Sequence, residues 1–149
     1  MSNNLYMISG WRGITRENEI RDILISLPKN ATIIVGDAAG ADRIATSYAR
    51  RLGLAVKIMK PRWKTVENAG LKRNWDMINH RPCKLFAFCP RGHVTRGTGH
   101  AISCAKKMCI PHEVISVNQE YRDISKKGVP ASKKVNTIRR YLTSPSASV

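Results

Sequence analysis

Two glycines and an aspartate between residues 33 and 45 form a pattern suited to binding an anion. This stretch reads IIVGDAAGADRIA, so that an apolar run is followed by Gly36, Gly40 and Asp42. Glycine permits close backbone approach, and aspartate is a residue type that caps helix N-termini. A strand, a glycine turn and a helix start together direct free N–H groups and a positive dipole end at a ligand. The stretch predicts a phosphate-binding turn, although similar turns occur in α/β proteins that bind nothing there.

Arg12 is a second residue suited to phosphate. It follows Gly10 in the sequence SGWRG, at residues 9–13, directly after a short apolar run. Ordering an arginine side chain beside glycines is costly unless the guanidinium meets an anion, and a guanidinium binds phosphate through two donors. The position therefore favours a phosphate contact over a solvated surface charge.

Other candidate side chains have ordinary structural interpretations as well. Trp63 and Trp75 are more typical of packing than of base stacking, because large aromatic residues usually bury area in a small domain. Asp42 is more typical of a helix cap than of a catalytic acid. His100 has three open roles, namely an acid or base, a helix cap and a binding contact.

The charge of the chain indicates phosphate-rich partners. Among 149 residues, 26 are Lys or Arg and 10 are Asp or Glu, which gives a net charge of +16. Such a surface attracts nucleotides, nucleic acids or anionic lipids, and the charge does not distinguish among them. The amino terminus has no signal-peptide pattern, and no apolar run approaches the ~18 residues of a membrane span. We therefore expect a cytoplasmic protein without a membrane partner.

The four cysteines form no C-x-x-C pair, which predicts reduced thiols and neither disulfides nor a metal site. No bound cofactor is expected. The sequence leaves open whether the protein forms a homo-oligomer.

Alternating strands and helices must position these residues. Short apolar runs predict strands at residues 5–8, 32–35, 55–59, 85–88 and 113–117. Helical spacing of apolar residues predicts four helices between them, the first capped by Thr15 and the second ending at Gly53. Residues 89–97 are predicted as an unusually long loop. The pattern predicts an α/β, three-layer Rossmann-like fold with a five-stranded, mainly parallel sheet.

In such sheets ligands bind beyond the carboxyl ends of the strands, so the loops after the first four strands should meet there. Residues 1–117 are predicted to form this domain. Residues 118–149 are predicted to be a basic C-terminal extension, with paired cations at positions 126 and 127, 133 and 134, and 139 and 140. This extension is expected to make weak, salt-dependent contact with nucleic acid.

Five motifs in order resemble those of one superfamily. They are S-G-x-R after the first strand, V-G-x-A-x-G-A-D-R-x-A after the second, and a tryptophan after the third. A-G-x-x-R-N-x-x-M follows on the next helix, and A-F-x-P with a later G-T surrounds the fourth loop. Over residues 5–117 the chain resembles the SLOG superfamily. Its nearest branch is the YspA/cpYpsA-related proteins, which are relatives of the LOG phosphoribohydrolases and the DprA/Smf proteins.

This resemblance implies a domain that binds a nucleotide or a nucleotide derivative, such as an ADP-ribose-like molecule or a nucleoside phosphate, as a sensor or sequestering protein. Two alternatives stay open: a LOG-type hydrolase or transferase acting on the N-glycosidic bond of nucleoside phosphates, and DprA-like binding of single-stranded nucleic acid. Together with the loop positions, the resemblance nominates as ligand-site residues Ser9, Gly10, Arg12, Gly36, Asp37, Gly40, Asp42, Trp63, Arg73, Asn74, Gly97 and Thr98.

The chain also departs from the family pattern. Asp37 stands where glycine is common and Ala39 where arginine is common, so the turn is less basic than usual. Ala101 occupies the position of the glutamate that carries glycosidic chemistry in the hydrolytic LOG proteins. The catalytic assignment therefore stays unknown, with Arg73 and His100 as candidates, and binding is favoured over hydrolysis.

Overall fold

The computed structural model describes residues 4–60 and 69–124. Within them, five strands alternate with four helices. The five strands pair in parallel, in the order β3-β2-β1-β4-β5, which confirms the predicted Rossmann-like α/β fold. In chain order the elements are β1 (Leu5–Gly10), α1 (Asn18–Ser26), β2 (Thr32–Gly36), α2 (Ala41–Arg51), β3 (Ala55–Met59), α3 (Ala69–Asn79), β4 (Lys84–Pro90), α4 (Arg96–Lys107) and β5 (His112–Val117).

The inner strands are buried on both faces, because successive residues enter different hydrophobic clusters. In β2, Ile33 and Val35 pack with α1 and α2, whereas Ile34 packs with α3 and α4. In β4, Phe86 joins the first cluster and Leu85 the second. This period of two explains why the strands read as nearly continuous apolar runs, and it produces the three layers.

Two predicted boundaries are wrong. The loop after β4 spans only residues 91–95, because β4 keeps pairing with β5 as far as Pro90 opposite Val117. The first helix begins at Asn18 and is not capped by Thr15. The backbone N–H of Thr15 instead donates a hydrogen bond to Oε1 of Gln119, at 2.8 Å.

The segment 118–124 packs against the domain after β5 has ended. The side chain of Gln119 accepts hydrogen bonds from the N–H groups of Thr15 and Arg16 and donates one to the carbonyl of Gly13, at 2.7 Å. The ring of Tyr121 lies 5.3 Å from that of Trp11. The ordered packing of the domain therefore continues for seven residues beyond Val117.

The four cysteines are unpaired thiols, and two of them, Cys89 and Cys104, are buried. Within residues 4–60 and 69–124, no group of three His, Cys, Asp or Glu side chains is arranged to hold a metal ion. None of the helices described has the length and hydropathy that a membrane span requires.

Candidate functional site

A crevice of about 590 Å³ opens at the carboxyl ends of the central strands. The chain order of the strands reverses direction between β1 and β4, and ligands of parallel sheets bind at such a switch point. The walls of the crevice come from elements on both sides of this switch point and from the segment 118–124. Nine predicted ligand-site residues line it: Ser9, Gly10, Arg12, Gly36, Asp42, Arg73, Asn74, Gly97 and Thr98.

The other predicted residues lie elsewhere. Asp37 is exposed beside the crevice and forms an ion pair with Arg73. Gly40 is not among the lining residues; its φ is a positive 73°, and a side chain there would collide with the carbonyl of Arg12. His100 stands behind Asn74 and does not contact the open space. Trp63 lies outside the described residues.

Arg73 places a largely buried cation in the crevice. Its side chain is only 16% exposed, and Nη1 lies 3.5 Å from Oδ1 of Asp37, a long contact for an ion pair. Its Nε is buried and has no hydrogen-bond partner among the described residues. A β-carbon at Gly36 would lie 2.6 Å from Nη1, so the missing side chain of Gly36 makes room for the guanidinium. A buried, incompletely bonded guanidinium is suited to an incoming anion.

Asp42 is a buried carboxyl group in the same crevice, only 5% exposed. Burial raises its pKa from 3.8 to about 6, while the charge of Arg73 and a hydrogen bond from the N–H of Ala38 act in the opposite direction. That N–H lies 3.2 Å from Oδ2. Near neutral pH the carboxyl group can therefore exchange a proton with a bound molecule. Asp42 lies within the first turn of α2, whose N-cap is Gly40, so its predicted role as the cap residue is wrong.

The N-terminus of α2 is already occupied by groups of the protein itself. The N–H of Ala41 donates to the carbonyl of Trp11 at 3.3 Å, and the carboxyl group of Asp42 bonds the N–H of Ala38. An ionised Asp42 would also repel a phosphate at this helix end. The turn after β2 thus offers an anion fewer free donors than the sequence pattern indicates.

The N-terminus of α4 is more open. Its N-cap, Thr95, makes no side-chain capping bond, and its hydroxyl donates to Oγ1 of Thr98 at 3.1 Å. The first helical bond runs from the N–H of Gly99 to Thr95, so the N–H groups of residues 96–98 have no helical acceptor. These three residues line the crevice, and Arg96 adds a positive charge. This end of the crevice combines free donors, a helix dipole and cations.

Asn74 links α3 to this end of the crevice. Its side-chain amide donates to the carbonyl of Gly97 at 3.3 Å and lies 3.1 Å from Nδ1 of His100. Asn74 is buried, so these contacts fix the orientation of its amide. The predicted catalytic candidate His100 therefore contacts Asn74, and its catalytic role stays a prediction.

Sequence reasoning missed several lining residues. Trp11 lies inside the motif S-G-x-R, and Arg96 directly precedes the later G-T. Their closeness in sequence to the glycines of these motifs is a signal that indicates the crevice. Tyr121 and Asp123 fall within the predicted basic extension, yet both line the crevice. The sequence signal for these two residues is the aromatic side chain of Tyr121, which precedes the first basic pair, at positions 126 and 127.

Compared with known proteins, the chain matches no family model, and no curated protein matches it significantly. The function is therefore inferred from the chemistry of the crevice.

Proposed function

We propose that the protein binds a nucleotide or nucleotide derivative in the crevice, as a sensor or sequestering protein. The observation that carries this proposal is Arg73, a largely buried cation whose Nε has no partner among the described residues. Leaving a buried donor unbonded costs about 1–3 kcal/mol, and a phosphate oxygen would recover that cost. The ligand is a nucleoside phosphate or an ADP-ribose-like molecule.

The lining supports a nucleotide better than a free phosphate ion. Its volume of about 590 Å³ lies within the usual range for small-molecule sites. Arg12 and Arg96 supply further positive charge for the phosphate end. The half-buried Tyr121 offers aromatic surface to a base, and the side-chain oxygen of Asn74 offers a polar contact to a sugar hydroxyl.

The same positions support membership of the SLOG superfamily, which we propose on the order of the motifs. Four of the five motifs contribute residues to the crevice, and the fifth contains Trp63. Among these four, S-G-x-R begins with the last two residues of β1, and R-N lies on α3.

Cleavage of an N-glycosidic bond is the second candidate, and Asp42 is the observation that favours it. The alanine that replaces the LOG glutamate, Ala101, is fully buried in the core with Met7 and Ile34 and does not line the crevice. Asp42 does line it, and its raised pKa suits a general acid. Release of adenine from AMP, absent in Asp42→Asn, would support this alternative over binding alone.

Titration with AMP and with ADP-ribose tests the binding proposal. We expect either ligand at 100 times its Kd to add about 2.7 kcal/mol to the free energy of unfolding. Arg73→Gln should lose most of this stabilisation, whereas Arg21→Gln, which removes an exposed charge on α1, should keep it. If neither ligand stabilises the protein at millimolar concentration, the proposal is wrong.

A further inference from the structure

A second cavity lies directly beside the crevice, and we call it the cationic groove. It has a volume of about 480 Å³ and lies between α2 and the end of β3. Three cations line it: Arg43, Arg50 and Lys60. The hydroxyl of Ser47 also lines it; its oxygen accepts a hydrogen bond from Arg51, so its proton is available to an acceptor.

The positions of these cations on α2 produce a dense positive charge. Arg43 and Arg50 are seven residues apart, so they lie on one helix face, about 10 Å apart along the axis. Within the described parts of the chain, no carboxylate oxygen lies within 4 Å of these two arginines or of Lys60. Other cations are paired: Arg21 with Asp22, and Lys84 with Glu113. These three cations outnumber Asp37, the one carboxylate among the described residues that line the groove, and such an excess of positive charge on a concave surface favours an anionic ligand.

The groove and the crevice share one residue. Gly36 lines both cavities, and its neighbour Asp37 lines the groove while its carboxylate contacts Arg73 in the crevice. A phosphate at Arg73 and an anion at Arg43 would therefore lie on opposite sides of Asp37. The carboxylate of Asp37 would repel an unbroken row of phosphates, whereas two separate phosphates can flank it.

From this arrangement we propose that the cationic groove binds a second phosphate group of the same ligand. The ligand class is then a nucleoside carrying two phosphates separated by its sugar. This inference rests on the proposed function of the crevice and narrows it. A nucleic-acid strand would also bring phosphates to the groove, but the central position of Asp37 favours the small ligand.

Calorimetric titration with AMP and with adenosine 3′,5′-bisphosphate tests the inference. We expect the bisphosphate to bind about tenfold more tightly than AMP, since its second phosphate adds two or three exposed ion pairs. The double variant Arg43→Gln/Arg50→Gln should abolish this advantage and leave the affinity for AMP within about twofold. The control variant Arg21→Gln/Lys84→Gln removes the same charge outside the groove and should preserve the advantage.

The possible outcomes separate the two proposals. Equal affinity for AMP and the bisphosphate overturns the proposal for the cationic groove and leaves the proposal for the crevice intact. Equal losses of bisphosphate affinity in the groove and control variants have the same meaning. Absence of binding by either nucleotide, or binding unaffected by Arg73→Gln, overturns the proposed function and the inference with it. A short deoxyoligonucleotide that loses affinity in the groove variant, while the bisphosphate shows no advantage, would replace the small ligand with a strand.

Discussion

The amide nitrogen of Asn74 lies 3.1 Å from Nδ1 of His100, and the same nitrogen donates to the carbonyl of Gly97. Because a carbonyl can only accept, the amide nitrogen faces both groups, and Nδ1 of His100 must accept the second hydrogen. This arrangement favours the neutral form of His100 with its proton on Nε2. Burial lowers its pKa from 6.5, and the charges of Lys107 and Arg96 lower it further.

We expect acidification to break this contact, because a protonated Nδ1 is a donor that faces another donor. A lowered folded-state pKa means that the contribution of His100 to stability is present above pH 6.5 and is lost as the pH falls below it. His100→Gln, whose side-chain oxygen can accept from Asn74, should flatten this part of a plot of Tm against pH.

His93 also has a pKa lowered by burial, and it is unchanged in both proteins, so it cancels in this comparison. Identical profiles for the variant and the parent protein below pH 6.5 would contradict the assignment of the neutral tautomer.

Asp42→Asn should stabilise the protein at pH 8. Burial raises the folded-state pKa of Asp42 from 3.8 to about 6, so its contribution to stability is full below pH 3.8 and is lost as the pH rises through 6. The ionised group then costs on the order of 3 kcal/mol, which the amide avoids. Urea unfolding at pH 4 and pH 8 measures this difference. A variant less stable than the parent protein at pH 8 would show that the folded protein compensates the cost of burying the ionised carboxylate.

Asp37→Asn should strengthen binding of AMP. The carboxylate of Asp37 is 38% exposed and competes with a ligand phosphate for the guanidinium of Arg73. Exposed ion pairs contribute about 0.2–1 kcal/mol, so removal should raise the affinity by about 1.4-fold to fivefold. Calorimetry at low salt measures the change. Asp22→Asn, which removes a carboxylate paired with Arg21 on α1, serves as the control and should have no effect.

Gly36→Ala should weaken ligand binding more than it weakens the fold. The added β-carbon would lie 2.6 Å from Nη1 of Arg73 and 2.7 Å from Oδ2 of Asp42, so both side chains must move. Gly99→Ala is the matched control, because its β-carbon would meet only Val94, at 3.6 Å, and alanine is favoured within a helix. Thermal unfolding with and without AMP separates the two effects. Unchanged affinity in Gly36→Ala would argue against Arg73 as the phosphate contact.

Nucleic-acid binding, where it occurs, should be weak and carried by the basic extension. Removing the chain after Ile124 eliminates the basic pairs and keeps the segment that lines the crevice. This truncation should reduce the slope of log affinity against log salt by about 0.7 for each lost phosphate contact on single strands. Fluorescence anisotropy at several salt concentrations measures the slope. Tight binding by the truncated chain at high salt would favour DprA-like binding through the folded domain.

The sheet was predictable because its buried strands read as short β-branched runs separated by helical spacing. The length of the loop after β4 was not predictable from the sequence. β4 continues as far as Pro90 because it pairs there with Val117 of β5, a strand that follows it by more than twenty residues. The same limit applies to the site. Gly36, Arg73 and Asn74 lie in motifs, whereas the contribution of Tyr121 depends on Gln119 anchoring its segment to residues 13–16.

The crevice lies at the switch point between β1 and β4, two strands that are far apart in the sequence. These strands are hydrogen-bonded neighbours. Because Tyr6 pairs with Lys84, the chain between these two residues forms a closed loop of nearly eighty residues. Closing such a loop costs conformational entropy before any contact is gained, so this central pairing of the sheet should form late in folding. A molecule held between Arg12 and Arg73 bridges both ends of that loop. A ligand bound in the crevice would then slow global unfolding. The lifetime of the folded state would increase with the concentration of this ligand.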